Sequence, residues 1–295
     1  MSKFHIDWLS LTTKVPSAHS YDCAADVVHV LGGEWRWGRG RNGYRQAFRH
    51  ESGGVILFDG EEGMGVHLVL PSQALAYFSD SLQELFESWE WKASRMDVCV
   101  DAEAVSVDFF IENQDVIVCR AQERAVYHDM STGGKTLYVG SRHGSRKLVR
   151  IYDKGVEQKT HGPGQLTRIE VQLREEYADA AFRYVRNGGS LADVAVRCID
   201  FRSPGRGPKC TWERLDWWAE MLTSCSFGFR FPLRLRAEQT LEAAVSWIEK
   251  QVAKSLAKCH AALGETWLRS LLFRGAAQLD VAFYNSLSPP AAAPA

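Results

Sequence analysis

The 295-residue chain lacks any surplus of charge: 35 Lys and Arg stand against 36 Asp and Glu, a formal net charge of −1. The average therefore gives no sign of a polyanionic partner. Paired cysteines are also missing. Cys23, Cys99, Cys119, Cys198, Cys210, Cys225 and Cys259 are odd in number and irregularly spaced, with no C-x-x-C and no Cys/His ligand pattern. That sets aside a disulfide framework and a structural zinc site. No apolar run approaches the roughly 18 residues of a membrane span. The opening Met1-Ser-Lys-Phe-His-Ile-Asp7 has neither the charged nor the apolar region of a signal peptide. The expectation is a cytoplasmic protein with no membrane partner. What the chain does have is a core: 45% hydrophobic, 24% charged and 11% aromatic residues exclude intrinsic disorder and suit one large domain or two smaller ones.

Periodicity predicts an α+β fold, an antiparallel sheet with packed helices followed by a mainly helical C-terminal region. Strands are expected over residues 4–12, 44–50, 55–58, 66–70, 94–101, 125–129, 136–140, 147–154 and 166–174, and helices over 18–31, 72–89, 105–113 and 175–186. Ser72 is the expected N-cap of the second helix. The basic Pro/Gly-rich stretch 201–209 then links to helical patterns over 212–222, 237–263 and 265–278. The expected division is a domain over 1–200, a helical region over 201–285 and a disordered Ser/Pro/Ala tail over 286–295.

Three strands carry one acid among apolar neighbours. Arg95-Met-Asp97-Val echoes Arg168-Ile-Glu170-Val, and Ile6-Asp7-Trp8 has the same arrangement. Side chains alternate along a strand, so Arg95, Asp97, Cys99 and Asp101 share a face, as do Arg168, Glu170, Gln172 and Arg174, and Arg150, Tyr152 and Lys154. If these strands are neighbours, their polar faces form a constellation for phosphoryl transfer: carboxylates for a divalent metal, a phenol to attack, and cations to neutralise phosphate. Asp97 and Asp101, four residues apart at about 3.3 Å each, lie roughly 13 Å apart and cannot ligate one ion together. The echo favours Asp97 as the partner of Glu170, with Asp101 second. The competing reading is that Asp97 and Glu170 merely make salt bridges to Arg168 and Arg95.

The balanced net charge hides two basic runs. Residues 35–50 hold five arginines, among them Arg36, Arg39, Arg41 and Arg45, with four aromatics and no acid. Arginine for phosphates and rings for bases is the composition of a nucleic-acid surface, and the glycines suggest a pliable hairpin tip. Residues 141–147, with Arg142, Arg146 and Lys147, lead into the strand of Tyr152.

Lys135-Thr-Leu-Tyr-Val-Gly-Ser-Arg142, Val149-Arg-Ile-Tyr-Asp-Lys154 with Glu157, and Thr167-Arg-Ile-Glu-Val-Gln-Leu173, preceded by Arg95-Met-Asp-Val-Cys-Val-Asp101, together resemble the replication initiation factor family of rolling-circle plasmid initiators and filamentous-phage replication proteins. The opening Ile6-Asp-Trp-Leu-Ser-Leu11 resembles its phage-type members. The resemblance covers about residues 4–222 and implies an origin-specific nicking and joining enzyme. A tyrosine attacks the scissile phosphate, leaving a 5′-phosphotyrosine and a 3′-hydroxyl primer. Tyr152 matches the nucleophile, with Arg150 and Lys154 beside it, and Asp97, Asp101 and Glu170 match the acids expected to bind Mg2+ or Mn2+. Like the family, the sequence lacks a His-hydrophobic-His triplet. Tyr138 is the rival nucleophile, although its setting suggests that it positions DNA with Arg142. The implied partners are origin DNA, single-stranded or hairpin, with a host helicase, a polymerase and a second copy of the chain. A non-catalytic DNA-binding regulator with the same fold is the alternative. A tyrosine recombinase is disfavoured because Tyr284 lacks the required setting.

Overall fold

A computed structural model of the chain describes residues 4–103, 105–142, 145–159, 166–223, 225–231, 245 and 248–276. The chain divides into two compact units, Met1–Pro232 and Leu233–Ala295.

The first unit is built on one antiparallel sheet of ten strands: β1 (His5–Thr13), β2 (Trp35–Arg39), β3 (Gln46–His50), β4 (Val55–Phe58), β5 (Val66–Pro71), β6 (Trp91–Ala102), β8 (Arg124–His128), β9 (Lys135–Val139), β10 (Lys147–Asp153) and β11 (Thr167–Arg174). Their order is β2-β3-β4-β5-β1-β6-β11-β10-β9-β8. Two short strands, β7 (Ile117–Val118) and β12 (Asp200–Phe201), pair separately. The α+β antiparallel architecture agrees with the periodicity. The expected hairpin tip at 35–50 is a full hairpin, β2 paired with β3 in register from Trp35↔His50 to Arg39↔Gln46. Its turn needs glycine at position 40, where a Cβ would lie 2.3 Å from the Tyr44 carbonyl oxygen.

Helices cover one face of this sheet: α1 (Ser20–Leu31), α2 (Ser72–Tyr77), α3 (Leu82–Ser88), α4 (Val107–Glu112), α6 (Glu175–Arg186), α7 (Leu191–Cys198) and α8 (Asp216–Met221), while the short α5 (Lys154–Gln158) follows β10. The core lies between. Val98 and Val100 of β6, Val149 and Ile151 of β10, and Ile169, Val171 and Leu173 of β11 are buried there with Ala178, Ala181 and Phe182 of α6. Burying these side chains is the main stabilising term, at about 1.5–3 kcal/mol for each large apolar one. The alternating polar residues are thereby turned to the other face.

The single helix expected over 72–89 is two helices. Phe78 is buried, and Ser79, Asp80 and Ser81, which favour turns, interrupt the helix. Pro71 occupies the N-cap position, and Ser72 is the first helical residue with no capping bond. Helix α7 was absent from the expectation. Ser190 caps it, accepting a hydrogen bond from Ala192 N. Residue 200, the expected domain boundary, falls inside the first unit, since Phe201, Trp218 and Leu222 join its core.

In the second unit a π-helical turn, Ile248–Val252, leads into Ala253–Ala276. This run leaves helical geometry at Gly264 (φ 78°, ψ 177°), where a positive φ favours glycine. The break falls where the sequence placed a boundary, between Leu263 and Glu265. Residues 237–244, 246–247 and 277–278 of the expected helices, the tail 286–295, and His143 and Gly144 of the second basic run lie outside the described residues.

Candidate active site

The strands of the sequence echo are neighbours, in the order β1-β6-β11-β10. Register sets three rows on the face away from the helices. Cys99 of β6, Glu170 of β11, Arg150 of β10 and Tyr138 of β9 form one; Asp101, Arg168, Tyr152 and Thr136 form the next; Asp97 faces Gln172. Neither aspartate is therefore directly opposite Glu170. Cys99 holds that position, with Asp97 and Asp101 two residues to either side.

Each acid on this face meets a guanidinium. Arg150 pairs with Glu170 Oε1. The Tyr152 hydroxyl donates to Glu170 Oε2 at 3.1 Å. Arg95 grips Asp97 through Nε at 3.0 and 3.1 Å and Nη2 at 2.5 Å, and Gln172 Nε2 approaches the same carboxylate at 3.4 Å. Arg168 holds Asp101 in a fork (2.5 and 2.7 Å) and reaches Asp7 at 2.8 Å. The salt bridges the sequence allowed are re-partnered: Asp97 takes Arg95 of its own strand, Glu170 takes Arg150, and Arg168 goes to Asp7 and Asp101. Asp97 and Glu170 are fully buried, while Asp7 and Asp101 are about a quarter exposed.

Burial dominates the electrostatics. It pushes the Asp97 carboxyl up to about 6 against the pull of Arg95, and Glu170 adds to the rise. Burial and then Glu170 push the Tyr152 phenol well above its usual 10, outweighing Arg168 and Arg150. The neighbouring guanidiniums thus do not draw the phenol to phenolate: it keeps its proton and donates it in a hydrogen bond to Glu170. Lys154 begins α5, not the end of the strand. Its Nζ bonds Glu157 at 2.5 Å and sits 5.8 Å from the Tyr152 ring centroid.

The donor set fits a hard divalent cation. Four carboxylates (Asp7, Asp97, Asp101, Glu170) share the face with three guanidiniums (Arg95, Arg150, Arg168), and a carboxylate retains lone pairs beyond one arginine. The ligands are not already gathered, however. Among the described residues the group of three potential donors within 4.8 Å of one another is His5, Asp7 and Cys99. The Cys99 thiol there is pushed far up by burial and lies 3.0 Å from His5 Nε2. Asp7 and Arg168 were named in the sequence pattern but not among the site residues. The signal for Asp7 was the repeated acid between apolar neighbours, and for Arg168 its place two residues before such an acid.

The expected DNA-contacting residues separate into three groups. Arg36, Arg39 and Arg41 are exposed, and Arg41 is near enough to His67 to help burial lower that imidazole to about 4. Arg45 is paired with Asp59. Tyr138 faces Arg150 across the strands and carries Arg142 4.7 Å from its ring centroid. Arg146 is tied to Glu175 and Glu176 at the start of α6. Lys147 has the parity of Val149 and turns to the helix-covered face, its Nζ 3.4 Å from the Cys198 carbonyl. Those two are not brought to the site.

Residues 93–272 match the family model described as replication initiation factor. Among solved structures the chain is similar to the rolling circle replication initiator protein from Geobacillus stearothermophilus, with a TM-score of 0.61 and 21% identity, over 76% of this chain and 96% of that one. No curated protein matches.

Proposed function

Because the chain belongs to the replication initiation factor family, we propose that it initiates rolling-circle replication by nicking one strand of origin DNA through Tyr152. The observation that best supports this is the Tyr152 hydroxyl donating to Glu170 at 3.1 Å, beside the Arg150 guanidinium. Tyr152 Oη forms a bond to the scissile phosphorus as the bond to the 3′ oxygen breaks. The phenolic proton passes to Glu170, the acceptor it already has, and a proton returns to the departing 3′ oxygen. The products are a 5′-phosphotyrosine and a 3′-hydroxyl. Since the phenol is held protonated, attack and proton transfer occur together. Arg150, whose partner Glu170 is neutralised as it takes the phenolic proton, then neutralises charge on the phosphoryl oxygens, and Lys154, shared with Glu157, adds to it.

Asp97 and Glu170, with Asp101 and Asp7 on the neighbouring positions, are the residues that would hold Mg2+ or Mn2+. A bound divalent ion would supply Lewis-acid polarisation of the phosphate. Arg36, Arg39, Arg41, Tyr138 and Arg142 would contact the DNA, and the role would call on a host helicase and polymerase in the cytoplasm, with self-association as a further contact. The test is a denaturation-resistant DNA–protein adduct formed with Mg2+ or Mn2+ on supercoiled or single-stranded origin DNA. Tyr152→Phe should abolish it, and an adduct that persists in that variant would refute the assignment. Binding with no adduct in the unmodified protein would favour a DNA-binding regulator.

A further inference from the structure

Beside Tyr152 lies a cavity of about 360 Å³ whose walls come from β8, β9, β10, α5 and the turn after β8. Arg150 and Tyr152 line it, so it adjoins the place where phosphate would react. Its remaining chemistry is unlike a phosphate site. Asp129, Asp153 and Glu157 contribute carboxylates, Tyr127 and Tyr138 rings, and Lys135 and Lys159 ammonium groups. Lys135 Nζ is held by Asp108 at 2.6 Å, and the carboxylates, which accept from Ser131, Lys135 N and Lys154 respectively, keep further lone pairs for a donor. Carboxylates repel phosphate and accept hydrogen bonds from amino groups. Aromatic rings accept bases by stacking. The volume is at the lower end of small-ligand pockets, about 300–1000 Å³, and is enough for one base.

Tyr127 carries the argument. It sits on β8, the edge strand, opposite Thr136, which in turn faces Tyr152. The ring is 56% exposed and has no ring partner among the described residues. It contributes nothing to the core, yet it lines the cavity two strands from the candidate nucleophile. Arg150, also in the lining, has its buried Nε without a hydrogen-bond partner, a donor that a backbone phosphate oxygen beside a seated base would satisfy.

We propose that this cavity seats one unpaired nucleobase of the cut strand beside the scissile phosphate, stacked on Tyr127 and selected for an exocyclic amino group by Asp129, Asp153 and Glu157. Cytosine, adenine and guanine carry that amino group, and thymine does not. The inference rests on the nicking function proposed above, but its test needs no chemistry.

The Tyr152→Phe protein is titrated with short single-stranded oligo-dC, oligo-dA and oligo-dT at one fixed salt concentration, and binding is read by fluorescence anisotropy. Oligo-dC and oligo-dA should bind more tightly than oligo-dT. Adding Tyr127→Ala should weaken oligo-dC and oligo-dA about tenfold, whereas Tyr127→Phe should retain the affinity. Glu157→Gln should narrow the difference between dC and dT. A 2-aminopurine moved position by position through oligo-dC should be quenched at one position on binding, and this reading does not depend on the variants folding. Equal affinity for all three oligonucleotides, unaltered by Tyr127→Ala, would overturn the inference, as would 2-aminopurine unquenched at every position. Adduct formation by the unmodified protein judges the Tyr152 assignment separately.

Discussion

The central strands β6-β11-β10 and the β2-β3 hairpin at one end of the sheet use arginine in opposite ways. On the central strands, Arg95, Arg150 and Arg168 are each locked onto carboxylates that are buried or nearly so. At the β2-β3 end, Arg36, Arg39 and Arg41 are exposed and make no ion pair among the described residues. A small apolar cluster of Ala47, Val55, Leu57 and Val69, with Trp8 and Tyr44 packed on it, lies between the two. Charges paired out of water hold geometry and are costly to unpair. Charges left in water contribute long-range, salt-sensitive attraction to a polyanion. The same residue type is thus locked onto carboxylates on the central strands and left in water at the hairpin, and total charge reports neither.

The largest effect should come from neutralising the buried acids. Asp97→Asn and Glu170→Gln should each lower metal-dependent nicking at least 100-fold while DNA affinity stays within about twofold, on the scale of removing a group that stabilises the transition state. Loss of binding together with nicking would make these acids structural and erase the contrast between the two regions. Next in size is the response to pH. The Asp97 carboxyl is raised to about 6, so its ionised form is lost as pH falls through 6, and nicking should drop about tenfold per unit below that. The folded protein also holds this proton more tightly than the unfolded chain, whose value is about 3.9. The contribution of Asp97 to stability therefore declines as pH rises from about 4 to 6, which a series of chemical denaturations across that range would detect.

Arg168→Ala should cost about 3 kcal/mol of unfolding free energy, since it strands Asp7 and Asp101, whose partial exposure keeps the loss at the lower end of the buried-pair range. The triple change of Arg36, Arg39 and Arg41 to Ala should leave stability within about 0.5 kcal/mol. It should instead reduce the slope of log affinity against log salt by about 2 for single-stranded DNA. An unchanged slope would remove that hairpin from the interface.

Much of this was legible in the sequence because strand period separates faces without knowledge of the fold. Ile169-Glu170-Val171 and Val149-Arg150-Ile151 declared which side chains face the core and which face outward. Register was not legible: nothing local says that Glu170 meets Cys99, or that Arg168 turns to Asp7 at the far end of the chain. For Lys147, nearness to Tyr152 in sequence and parity with Val149 point to opposite faces, and its Nζ lies 3.4 Å from the Cys198 carbonyl on the helix-covered one. The opposed effects on the Tyr152 phenol were hidden as well, because burial depends on tertiary packing. Helix α7 could have been found from Ser190 and Asp193 in capping-box spacing, and the break at Ser79-Asp80-Ser81 from its run of turn-forming residues.

The most direct test of the central claim is to locate the covalent DNA adduct by peptide mass spectrometry after tryptic digestion of the protein incubated with its origin DNA and Mg2+ or Mn2+. The account predicts the modified tyrosine in the peptide Ile151-Tyr-Asp-Lys154. An adduct on the peptide carrying Tyr138, or on any other tyrosine, would contradict it.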